Sequence, residues 1–165
     1  WLSKNLLRSS SKKFVKNKPF LLHTGDAYFS DYQFIIKMIN EHNKTKGTKA
    51  TVLLQKMQNL KGLGIAQVIK NNNILNIIDV EEKPKKPKSN YAILPVYIFE
   101  SEIFKALKNT FQGYNNELQV TDAIKTILKQ KQSVIGFNNK QKWYDIGSPK
   151  NYVDSVNYSY KKSIK

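Results

Sequence analysis

The sequence predicts an α/β protein, a mixed sheet flanked by helices and carrying a β-hairpin. An apolar run at residues 20–24, an amphipathic helical pattern after Ser30 and a second apolar run at residues 50–55 follow one another as strand, helix and strand. That is the order of a parallel crossover unit. Two β-rich runs, 64–70 and 74–80, are separated by Asn71-Asn72-Asn73, and asparagine tolerates the positive φ of a hairpin turn. Apolar and aromatic residues make up 40% of the 165 residues and are spread along the chain, enough for one hydrophobic core. The expectation is a single domain over residues 1–165, since no internal repeat and no long linker divides the chain.

Each element has its own warrant. Residues 2–15 suit a helix with Leu2, Leu6, Leu7 and Phe14 on one side, weakened by Ser9-Ser10-Ser11. Lys18-Pro19 leads into the first strand, which Gly25-Asp26 ends in a turn. Ser30 reads as an N-cap, and Tyr32, Ile35, Ile36 and Ile39 recur at the spacing of one helical face. Beyond the hairpin, residues 91–99 form a strand in which Pro95 requires an edge, a bulge or a break. Helices are expected over 101–109 and 122–131, the second capped by Thr121, and short strands over 133–137 and 142–144. Ser148-Pro149 starts a last helix, a cap followed by proline at the first helical position, with Tyr152 and Val153 facing inward.

Composition removes several functions. There is no Cys, so disulfides, zinc thiolates and thiol nucleophiles are excluded. No run approaches the roughly 18 apolar residues that span a bilayer, and no signal peptide opens the chain. A cytoplasmic location without membrane contact is the expectation. The 28 Lys and Arg against 12 Asp and Glu give a net charge of +16, which brings nucleic acid to mind. Yet most lysines stand singly, and the dense runs are confined to residues 11–13, 83–88 and 161–165. No basic helical face and no aromatic interleaving supports nucleic-acid binding, so solvated surface is the better account of the charge. His23, inside an apolar strand, reads as a satisfied core histidine, and Trp143 with the nine tyrosines as packing and surface amphiphiles.

Two aspartates stand in matching contexts. Asp26 follows a strand and a glycine, and Asp145 lies in Trp143-Tyr144-Asp145-Ile146-Gly147, at a strand end before a glycine turn. Ligands of open α/β sheets bind outside the carboxyl ends of strands, so the pair suits one hard cation. Stabilisation of each turn by its own aspartate is the other reading. After the hairpin, Glu82-Lys83-Pro84 places an acceptor for hydroxyls beside a cation for phosphate, which suits a sugar phosphate. Taken by themselves, these residues are more simply explained as an exposed charged turn in a Lys-rich loop.

In chain order these segments resemble a known family. The matching stretches are Pro19-Phe20-Leu21-Leu22-His23-Thr24-Gly25-Asp26, Leu63-Gly64-Ile65-Ala66, Glu82-Lys83-Pro84, and Ser89-Asn90-Tyr91-Ala92 running into Val96-Tyr97-Ile98-Phe99. Asn116-Glu117-Leu118-Gln119-Val120-Thr121-Asp122-Ala123-Ile124 and Trp143-Tyr144-Asp145-Ile146-Gly147-Ser148-Pro149 follow. Together they resemble the sugar-1-phosphate nucleotidylyltransferases that join glucose 1-phosphate to UTP or dTTP and release pyrophosphate. The resemblance implies a partial Rossmann-like sheet of the nucleotide-diphospho-sugar transferase type. It implies that Asp26 and Asp145 hold a catalytic Mg²⁺, that Lys83 contacts the sugar's phosphate, and that Glu82 and the turn at Gly64 bind sugar hydroxyls. Asn90 and the backbone near Ile93 would line the same pocket.

Where relatives usually have Gly before the strand's aromatic this chain has Pro95, and where they often have Arg-Gly it has Asn115-Asn116. The family also begins with a Gly-rich loop that offers backbone N–H groups to the nucleotide's phosphates, and none of the seven glycines here cluster. With Trp1 rather than Met as first residue, the expectation is a C-terminal, sugar-binding portion that is incomplete and inactive alone. Its expected partners are a sugar 1-phosphate, a nucleoside triphosphate and a second copy or a complementing chain. The alternative is a non-catalytic sugar-phosphate-binding or regulatory subunit.

Overall fold

The computed structural model describes residues 9–110 and 119–164, so residues 2–8 of the expected first helix and Asn115-Asn116 lie outside the described residues. The elements in chain order are α1 (Ser9–Val15), β1 (Phe20–His23), β2 (Ala27–Phe29), α2 (Phe34–Lys44), β3 (Thr48–Lys56), β4 (Ile65–Asn71), β5 (Ile74–Glu81), β6 (Tyr91–Phe99), α3 (Ile103–Asn109), α4 (Val120–Lys129), β7 (Ser133–Asn138), β8 (Trp143–Asp145) and α5 (Pro149–Ser163). Six strands form one mixed sheet in the order β1-β6-β3-β7-β5-β4, and β2 pairs with β8 in a separate ribbon.

The crossover is wider than a simple unit. β1 and β3 run the same way because both pair antiparallel with β6, which lies between them. α2 therefore carries the chain across a strand that comes some forty residues later in the sequence. Among the described strands only β3 and β7 are parallel neighbours. β6 also pairs with the start of β4, Ile65 opposite Ala92, so β6, β3, β7, β5 and β4 close a circuit of pairings. Pro95, with no N–H to give, is tolerated inside this strand because the β3–β6 register jumps there. Leu94, Pro95 and Val96 stand opposite Leu53 alone. The β4–β5 hairpin turns on Asn72 (φ 46°) and Asn73 (φ 66°), the left-handed pair that a two-residue turn requires.

Strand alternation sends side chains to two faces. On one, Val52, Leu54, Ile93, Tyr97 and Phe99 pack with Ile103, Phe104, Ala123, Ile124 and Ile127 of α3 and α4. On the other, Leu53, Leu94, Val96 and Ile98 pack with Phe34 and Met38 of α2 and with Ala27 and Phe29 of the ribbon. Gly136 of β7 is required by closeness rather than by conformation, since a Cβ there would overlap Leu54 Cδ1.

Four expectations need correction. Ser30 does not cap α2; Gln33 precedes the helix, and Phe34, Met38 and His42 are its buried residues. Tyr32, Ile36 and Ile39 are 41%, 66% and 38% exposed. The sequence holds two overlapping apolar stripes, and the sheet takes the one whose His42 finds Thr51 Oγ1 at 2.7 Å and Glu100 Oε1 at 3.4 Å. Thr121 is inside α4, because Gln119 and Asp122 form a capping box in front of it. Tyr152 and Val153 of α5 are both 54% exposed. The helix instead turns buried Ser155 and half-buried Tyr158 inward, with the Tyr158 ring 5.7 Å from Tyr144 and Lys142 Nζ 4.9 and 5.1 Å from the two rings. Ser148 does cap α5, accepting from the Asn151 N–H at 3.3 Å. None of the described helices is long and apolar enough to cross a membrane.

Candidate functional site

The predicted residues fall into two groups. The first forms where β1 gives way to the ribbon. Thr24 follows β1, and its N–H donates to the Pro95 carbonyl at 3.1 Å while its hydroxyl donates to Asp26 Oδ1. β2 then pairs with β8, Ala27 opposite Asp145, and the Ile146 N–H donates to the Asp26 carbonyl at 2.8 Å. The two aspartates thus lie on adjoining backbone although they are far apart in sequence. Asp145 Oδ1 accepts the Gly147 N–H at 3.1 Å. Both aspartates are exposed.

Among the described residues no group of three or more His, Cys, Asp or Glu is spaced to hold a metal ion. Two carboxylates nevertheless match the needs of Mg²⁺. That ion takes hard oxygen ligands, keeps several waters, and is commonly held by one or two carboxylates plus substrate phosphates.

The second group forms where β4, β5, β6 and the first turn of α4 meet. The Ile93 N–H donates to the Gly64 carbonyl at 2.7 Å. The Thr121 hydroxyl donates to Glu82 Oε2 at 2.7 Å. A Cβ on Gly64 would lie 3.1 Å from that Glu82 oxygen, 3.2 Å from Thr121 Oγ1 and 3.5 Å from Ile93 Cδ1. Gly64 is therefore the floor on which the carboxylate rests. Lys83 adopts φ 43°, and its Nζ stands 3.9 Å from Glu82 Oε1. Asn90 is exposed, and its carbonyl accepts the Met57 N–H at 3.0 Å. Next to it, the Ser89 hydroxyl accepts the Tyr91 N–H at 3.1 Å, fastening the basic loop to the start of β6.

Gly64, Glu82, Lys83 and Ile93 are thus brought together, Asn90 is placed at the entry to the same strand, and Asp26 with Asp145 form the other end. Tyr97 of the same strand β6 is buried. Burial, and after it the negative charges of Glu82 and Asp26, push its phenol well above the usual tyrosine range.

Sequence reasoning missed Thr121, which it assigned to the helix cap. The signal was present in the alternative capping pair, Gln119 with Asp122, which frees the threonine hydroxyl. His23 was expected to be a satisfied core residue. Its ring does pack 5.8 Å from both Phe29 and Tyr32, but its buried Nε2 has no hydrogen-bond partner among the described residues.

Known proteins share this arrangement. The chain is 34% identical over 136 residues to a bifunctional protein GlmU of Methanococcus aeolicus, covering 82% of this chain and 30% of that protein. It is 28% identical over 161 residues to a UTP–glucose-1-phosphate uridylyltransferase 2 of Streptococcus pyogenes, covering 92% of this chain and 54% of that one. A crystal structure of a UDP-glucose pyrophosphorylase complexed with UDP-glucose superposes with a TM-score of 0.83 at 28% identity, over 92% of this chain and 60% of its own. The chain therefore spans about a third to three fifths of the length of these relatives. With the nucleotidyl transferase family model matching residues 5–162, and with this sheet, ribbon and order of motifs, the chain belongs to the sugar-1-phosphate nucleotidylyltransferase family.

Proposed function

We propose that this chain supplies the sugar-phosphate side of a reaction joining a sugar 1-phosphate, glucose 1-phosphate, to UTP or dTTP with release of pyrophosphate. The observation that carries the reading is the cluster of Gly64, Glu82, Thr121 and Lys83, where a fixed carboxylate and an ammonium face one surface beside a glycine that leaves room. A carboxylate in that setting takes two neighbouring sugar hydroxyl protons, while the ammonium meets the phosphate as a point charge. Asn90 and Ile93 border the sugar.

Asp26 and Asp145 would hold Mg²⁺, which when bound supplies charge neutralisation to the phosphates. The chain's own residues position the reactants. Lys83 holds the sugar's phosphate, Glu82 fixes the ring, and an oxygen of that phosphate then attacks the α-phosphorus as pyrophosphate departs. No covalent enzyme intermediate is needed, since positioning and charge neutralisation account for catalysis of this type.

The whole reaction needs donors for the triphosphate as well. The seven glycines of this sequence do not cluster, and the chain spans 54% of the Streptococcus pyogenes uridylyltransferase. The reading is therefore that residues 1–165 form one domain, the sugar-binding portion of the catalytic unit, completed by polypeptide that carries the phosphate loop. The same observation favours, as second reading, a sugar-phosphate-binding subunit with no turnover of its own.

Pyrophosphate release from UTP or dTTP with glucose 1-phosphate and Mg²⁺ distinguishes the two. The assay is run on the chain alone and with a polypeptide carrying a Gly-rich phosphate loop. Activity only in the mixture supports the first reading. Saturable glucose 1-phosphate binding without turnover in either supports the second, and absence of sugar-phosphate binding overturns both.

A further inference from the structure

The two aspartates share a detail that their roles as ligands do not require. Each has Oδ1 engaged by a donor two residues away, the Thr24 hydroxyl for Asp26 and the Gly147 N–H for Asp145. Each leaves Oδ2 without a hydrogen-bond partner among the described residues. The terminal torsion of an aspartate is broad, so an exposed carboxylate with no donor samples many directions. A donor to one oxygen fixes the plane of the group and with it the direction of the other oxygen. At Asp145 the donor is a backbone N–H that no side chain replaces. At Asp26 it is a side chain, and that side chain is itself tied down.

Thr24 is half-buried, and its N–H is bonded at 3.1 Å to the carbonyl of Pro95. That carbonyl sits where β6 departs from regular pairing with β3. The irregular centre of β6 thus anchors Thr24, and Thr24 anchors Asp26 across the open turn at Gly25, where nothing lies within 4 Å of an added Cβ.

We infer that Thr24 is a positioning residue that presents Asp26 to a divalent cation shared with Asp145. The inference rests on the reading above that Asp26 and Asp145 hold Mg²⁺. It adds that the hydroxyl of Thr24, and not its contribution to the fold, sets the affinity of that site.

Mn²⁺ alone is the probe. The ¹⁵N-labelled full chain is titrated with Mn²⁺, and paramagnetic broadening of the amides of Gly25, Asp26, Ile146 and Gly147 gives a midpoint. Saturable broadening at both turns, lost in Asp26→Asn, is expected of the wild type; if it is absent, the metal reading fails and the inference falls with it. In Thr24→Val the midpoint should rise about tenfold, the low end of what loss of a ligand-orienting partner costs. A midpoint equal to that of the wild type overturns the inference while leaving the metal reading intact.

Thr24→Ser and Thr24→Ala, which differ by one hydroxyl, guard against a folding defect in the valine variant. Serine should stay near the wild-type midpoint and alanine should shift like valine. Equal midpoints for serine and alanine would reduce Thr24 to a structural residue, whatever their melting temperatures. Glucose 1-phosphate binding, read at Glu82 and Lys83, should be unchanged in all three.

Discussion

Residue by residue, the site divides into what a motif could show and what only packing could show. Asp26, Asp145, Glu82 and Lys83 are charged groups within two residues of a glycine or proline, and such patterns stand out in a sequence. Thr121 does not, because a threonine before a helical run reads as a cap, and only three-dimensional proximity assigns its hydroxyl to Glu82. Thr121→Val should weaken glucose 1-phosphate binding by about 1 kcal/mol, the net value of a hydrogen bond, in a calorimetric titration. Lys83→Ala should cost more, roughly 1.5 to 3 kcal/mol, since its bond is to a charged group; an unchanged affinity would remove Lys83 from the site. Gly64→Ala tests the floor. Its new methyl would press on Glu82 Oε2 and Thr121 Oγ1 at 3.1 and 3.2 Å, so sugar-phosphate affinity should fall while the fold, followed by circular dichroism, persists.

Among the elements, the strands were read with most fidelity, because alternation and turn residues are local properties. The hairpin, β3, β6 and the start of α5 all stand where the sequence put them. Helix faces were not legible. In α2 the residues Phe34, Ile35, Ile36, Met38 and Ile39 offer two stripes of comparable apolarity, and the choice belongs to the sheet beneath. In α5 the tyrosines and valines outnumber what β8 can cover, and Ser155 with Tyr158 wins the contact.

Gly136→Ala in β7 should lower stability by about 1 to 3 kcal/mol in urea unfolding, because the methyl meets the rigid side chain of Leu54. Lys49 and Glu102, 2.5 Å apart, join β3 to the start of α3. The hydrogen bond between them is the main cause that lowers the Glu102 pKa and raises that of Lys49. The lowered carboxyl contributes stability that is complete above the usual carboxylate range and is lost as pH falls through its folded value. The raised amine contributes stability that is lost only in strong base. Glu102→Gln should therefore reduce stability at neutral pH by no more than about 1 kcal/mol, as partly exposed pairs do, with the difference from wild type closing in acid.

For the whole molecule, fold class was legible and topology was not. Nothing local announces that residues 91–99 insert between β1 and β3, since strand order depends on contacts between distant segments. This insertion also joins the two groups of candidate residues, because β6 holds the Ile93 N–H on the Gly64 carbonyl and the Pro95 carbonyl on the Thr24 N–H. On this account the purified chain alone should release no pyrophosphate from UTP and glucose 1-phosphate, and turnover by it would show that the residues present suffice. The late position of β6 also governs how the chain must be made. During synthesis the ribosome adds the hairpin and the basic loop between β3 and β6, at about 5 to 20 residues per second, so neither the β1–β6 nor the β3–β6 pairing can form until then. The β1-β6-β3 part of the sheet therefore cannot be assembled in the order of synthesis, and the strand that carries both Ile93 and Pro95 is the last of the three to appear.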